Sequence, residues 1–125
     1  MNPALTSWIA PGALFLLTVT SGVWLSRIGR PINGPVLTLH KLIALAAVTW
    51  AGVVSYGMLR EAGVQALALA LVIVAGAAVV GLFATGALLS QPKLARPVFL
   101  GLHQAAPVLA ALSSAAAAIL LTAGR

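Results

Sequence analysis

The stretch 64–89, VQALALALVIVAGAAVVGLFATGALL, contains no charged side chain. A helix crosses the hydrocarbon core with ~20 mostly apolar residues, so this run is long enough to span a bilayer. Outward from it, further apolar runs occupy 8–25, 36–59 and 98–121. Between them fall clear breaks: Arg27, Gly29, Arg30, Pro31, Asn33, Gly34 and Pro35 in the first, Arg60, Glu61 and Gly63 in the second, and 91–97 in the third. Backbone amides in hydrocarbon must be satisfied within the chain, which makes helices of all four runs. Links this short make sequential helices antiparallel. The expected fold is therefore an all-α membrane protein, a four-helix up-down-up-down transmembrane bundle.

Composition agrees. Hydrophobic residues make up 62% of the 125 residues and charged residues 6%, with mean hydropathy +1.12, whereas about a quarter of a soluble domain is charged. The net charge of +6 is scattered over loops and helix ends, not gathered into the stripe that a nucleic acid needs, so no nucleic-acid partner is expected. Absence of cysteine removes disulfides, iron–sulfur clusters, thiolate nucleophiles and covalent c-type haem attachment. The apolar run beginning at residue 8 is too long for a signal-peptide core, so the first span is expected to be retained.

Arg27, Arg30, Lys41, Lys93 and Arg96 belong to the first and third connections and their flanks, against Arg60 and Arg125 on the other side. The excess of basic residues marks the cytoplasmic side. An integral protein of a bacterial-type cytoplasmic (inner) membrane is expected, with both termini non-cytoplasmic.

The chain also repeats itself. Thr20-Ser21-Gly22 aligns with Ala84-Thr85-Gly86, Arg30-Pro31 with Arg96-Pro97, and Leu39-His40-Lys41 with Leu102-His103-Gln104. One domain, 1–125, is thus built from two helical hairpins, about 1–60 and 61–125, related as a parallel repeat.

The two histidines, His40 and His103, occupy equivalent positions, each about five residues or ~7 Å into its apolar run. An ionisable side chain inside a span is by default a functional residue. In an up-down bundle the second and fourth helices are diagonal and parallel. Their axes would be about 11 to 14 Å apart if neighbours lie ~8 to 10 Å apart. That gap suits two imidazoles with one metal between them and a flat macrocycle, so His40 and His103 are the expected axial ligands of one haem b per chain.

Gly22 and Gly86, near the matching ends of the first and third helices, would admit the macrocycle, because small residues allow close approach. Below the histidines, the stripes through Ala44 and Ala106 are small. Phe83 is placed to meet the ring edge, and Pro107 to kink the helix and re-aim His103. Arg27, Arg30, Lys41, Lys93 and Arg96 would pair with the propionates. The acceptor that fixes the other imidazole nitrogen would be Thr18, Thr38, Ser26, Ser90 or a backbone carbonyl.

The pairs Leu39-His40-Lys41-Leu42 and Leu102-His103-Gln104-Ala105, with glycines on the neighbouring helices, resemble small membrane b-type cytochromes of the cytochrome b561 kind. The resemblance covers a hairpin motif twice over. It implies non-covalent haem between bundle histidines and electron transfer to or from a quinone or a redox protein partner. Many members carry four histidines and two haems; with two histidines only one haem site can be built, which favours an electron carrier or a subunit of a larger membrane complex over a stand-alone enzyme.

Two alternatives use the same residues. In one, each histidine ligates a chlorophyll-type pigment; in the other, the chain is a cofactor-free structural subunit of a respiratory or photosynthetic complex. Coupled cation export lacks a membrane carboxylate, since the sole acid, Glu61, is in a loop. Zinc catalysis would need three or four ligands.

Overall fold

The structure, a computed structural model, describes residues 3–63 and 65–123. It is all-α: a short helix α1 (Pro3–Thr6) and four long ones, α2 (Ile9–Ile28), α3 (Gly34–Ala62), α4 (Ala66–Ser90) and α5 (Pro97–Ala123). All four long helices have the length and apolarity to cross a membrane, and large apolar side chains such as Leu16, Leu42, Val53, Ile73, Val80 and Leu112 lie exposed along them. Surfaces of that kind are stable only against hydrocarbon. The chain is an integral membrane protein.

The helix ends depart from the apolar runs by one to three residues, because local chemistry at the ends decides them. At the start of α3, Asn33 Oδ1 accepts from the Val36 amide at 3.1 Å, an N-cap that satisfies one of the first-turn donors. Pro35 then sits where its missing N–H costs nothing. Thus Gly34 and Pro35, expected in the loop, belong to the helix. Pro97 opens α5 for the same reason. α2 ends at Gly29, which adopts φ 77° while its amide donates to the Leu25 carbonyl, a conformation that glycine accepts without steric cost. Val64, the expected start of the third span, and Arg125, counted with Arg60 on the less basic side, lie outside the described residues.

The chain divides into two compact units, Met1–Gly57 and Met58–Arg125. In the first unit, the buried edge of α2 runs through Pro11, Leu14, Thr18, Ser21 and Leu25. That of α3 runs through His40, Ala44, Ala47 and Ala51. In the second unit α4 and α5 pack together, burying Ala68, Ala75, Ala78 and Thr85 on one helix and Ala110, Ser113, Ala117 and Leu121 on the other. These positions recur at steps of three, four or seven residues, so they lie along one stripe of each helix, the spacing of helices that pack at a shallow angle. Their small side chains allow the close backbone approach on which helix association in lipid relies.

Hydroxyls within the spans satisfy themselves locally: Thr18 donates to the Leu14 carbonyl at 2.8 Å, Thr20 to Leu16 at 2.8 Å and Thr122 to Ala118 at 2.9 Å. Among the described residues no buried side-chain polar atom lacks a partner, as a medium without water requires.

Candidate functional site: two equivalent imidazole seats

His40 and His103 each lie six residues beyond the first residue of their helix, a depth of ~9 Å. Both are half-buried. Each is held by the other helix of its own hairpin.

In the first unit the His40 ring lies on Gly22. A Cβ built at Gly22 would be 3.1 Å from His40 Cε1, 3.7 Å from Nδ1 and 3.9 Å from Nε2. Ser21 Oγ, on the preceding residue, is 2.9 Å from His40 Nδ1 and donates to the Thr18 carbonyl at 2.9 Å. In the second unit, a Cβ at Gly86 would be 3.1 Å from His103 Cε1, 3.7 Å from Nδ1 and 4.0 Å from Nε2. Thr85 Oγ1 is 2.9 Å from His103 Nδ1, and donates to the carbonyls of Gly81 at 2.7 Å and Leu82 at 3.2 Å. The two seats agree in residue types, order and distances.

These glycines therefore have a definite use: even a Cβ there would crowd the imidazole at 3.1 Å, so the ring would have to give by a few tenths of an ångström. Gly52, Gly57, Gly76 and Gly81, also within helices α3 and α4, have nothing within 4 Å of a Cβ. Of the expected site residues, the structure brings Gly22 to His40 and Gly86 to His103. Ala44, Ala106 and Pro107 are half-buried one turn along from the histidines, and Phe83 is exposed on α4. Pro107 lies inside α5, where the missing N–H leaves the His103 carbonyl without its usual helical donor. Arg27, Arg30, Lys41, Lys93 and Arg96 are exposed at or near the first and third loops.

Ser21 and Thr85 are the residues that sequence reasoning missed. The hydroxyls expected to serve the imidazoles are otherwise placed: Thr18 and Ser90 donate to the carbonyls of Leu14 and Gly86, and Ser26 and Thr38 are exposed. The signal was nonetheless present, since the repeat alignment sets Ser21 against Thr85 immediately before the paired glycines. Among the described residues the buried polar side chains are Ser21, Thr85 and Ser113; two of these three contact a histidine.

Chemically, each seat offers one imidazole. No group of three or more His, Cys, Asp or Glu side chains gathers among the described residues. Family models, curated proteins and solved structures yield no match to this chain.

Proposed function

We propose that the chain is a membrane b-type cytochrome in which His40 and His103, one imidazole from each unit, are the axial ligands of a single haem b. The observation that carries this reading is the duplicated seat: two imidazoles at the same helix register, each on a glycine, each with Nδ1 against a buried hydroxyl. Such an arrangement holds a ligand ring in a fixed orientation, as metal-binding histidines require. The donor set fits haem iron, which imidazole ligates without help from thiolate or carboxylate.

When bound, the haem would supply a one-electron couple. Two imidazole ligands would leave no coordination position on the iron open to oxygen or substrate, so the reading is electron transfer to or from a quinone or a redox protein, alone or within a larger complex. The exposed cations Arg27, Arg30, Lys41, Lys93 and Arg96 are available to propionates. Their excess at the first and third loops supports an orientation with both histidines toward the cytoplasm of a bacterial-type inner membrane and the termini outside.

The test is an absorption spectrum of the purified protein before and after dithionite. A reduced low-spin b-type spectrum is expected, and His40→Ala and His103→Ala should each abolish it. Retention in both single variants refutes the ligand assignment. A second reading is favoured by the self-sufficiency of each seat: one pigment magnesium per imidazole. A chlorin spectrum with two equivalents per chain identifies that case.

A further inference from the structure

We infer that Ser21 and Thr85 are positioning residues that hold His40 and His103 in the Nδ1–H tautomer, so that Nε2 carries the lone pair available to a metal. The role rests on the haem-ligand reading for its purpose, but its geometry does not depend on haem.

A hydroxyl has one proton. Thr85 Oγ1 directs its proton at the Gly81 carbonyl, 2.7 Å away on the preceding turn, with Leu82 as a second acceptor at 3.2 Å. A carbonyl can only accept, and the hydroxyl oxygen is then left as an acceptor toward the imidazole. For the 2.9 Å contact between Thr85 Oγ1 and His103 Nδ1 to be a hydrogen bond, the proton must come from the ring. Neutral imidazole carries one N–H, which leaves Nε2 as the basic nitrogen. The same accounting holds for His40. The Ser21 hydroxyl donates to the Thr18 carbonyl at 2.9 Å, and its oxygen faces Nδ1 at 2.9 Å.

Each relay, Nδ1–H to hydroxyl to helix carbonyl, is polarised along its length. It ends on backbone of α2 or α4, so the ring orientation is tied to the helix rather than to a mobile side chain. The consequence for a bound metal is a more basic ligand nitrogen, which favours the oxidised form.

The decisive measurement is imidazole 15N NMR on the full-length, haem-free chain in lipid nanodiscs at pH 8. In the wild type both rings are expected with Nδ1 protonated and Nε2 bare. Ser21→Ala should alter the His40 tautomer signal and leave His103 unchanged; Thr85→Ala should do the reverse. The exchanged hydroxyls, Ser21→Thr and Thr85→Ser, should restore the wild-type pattern, which separates lost hydrogen bonding from lost folding.

With haem loaded, each alanine variant should lose affinity by ~10 to 100-fold and show a raised midpoint potential. Rings protonated at Nε2 in the wild type, or tautomers indifferent to both alanine substitutions, overturn the inference even if haem binds. The expected tautomers in a chain that shows no b-type spectrum uphold the hydroxyl role and refute the haem reading instead.

Discussion

Gly22→Ala and Gly86→Ala test whether the glycines seat the histidines. The added methyl would lie 3.1 Å from the imidazole Cε1 in either hairpin, against ~3.5 to 4.0 Å for a comfortable carbon contact. The ring must therefore withdraw by about 0.4 Å. Its Nδ1 is held 2.9 Å from Ser21 or Thr85, and withdrawal along that line stretches the contact to ~3.3 Å, past the usual hydrogen-bond range. Losing that bond costs about 1 kcal/mol, and crowding in a packed site adds at least ~1 kcal/mol. About 2 kcal/mol corresponds to a ~30-fold loss of haem affinity. Against this, alanine is the better helix former by about 1 kcal/mol, so the haem-free chain should be destabilised by only about 1 kcal/mol. Gly76→Ala supplies the control: nothing lies within 4 Å of its added methyl, so it should leave affinity unaltered. The assay is haem titration of the detergent-solubilised protein followed by absorbance. Wild-type affinity in both Gly22→Ala and Gly86→Ala would refute the seating role.

Other perturbations address the scaffold and the topology. Asn33→Ala removes the cap on the Val36 amide and should destabilise α3 by about 1 kcal/mol, read from a denaturation midpoint, while Asn33→Asp should not. Ala117→Leu enlarges a side chain only 3% exposed and should cost about 1 to 3 kcal/mol in the same assay. Leu112→Ile, on an exposed position of the same helix, should cost almost nothing. Fusion of alkaline phosphatase to the C-terminus should give active enzyme and a fusion in the loop 91–96 inactive enzyme; the opposite pattern reverses the assigned orientation.

The spans could be read directly because each is a long apolar run, and hydropathy decides membrane insertion almost regardless of detail. Their ends could not, since they depend on capping: Asn33 and Pro35 resemble loop residues until the cap at Val36 is seen. The pairing of His40 with Gly22 and of His103 with Gly86 was half visible as a repeat. What hydropathy cannot give is which side of a nearly uniform apolar helix faces its neighbour. α4 offers no polar face to orient it, so the inward position of Thr85 emerged only when α5 was packed against it. Ser21 was obscured for the same reason, although the repeat aligns it with Thr85 just before the paired glycines.

Each imidazole is gripped by residues of its own hairpin, and this bears on biogenesis. When the ribosome has delivered both spans of the first hairpin to the membrane, Ser21, Gly22 and His40 are all present, and nothing downstream is needed to complete their mutual contacts. Domains emerging N-terminus first fold as units during synthesis. The first seat can therefore be ordered before the second histidine has been translated, and under the proposed haem reading cofactor capture would be the last event of assembly rather than its nucleus.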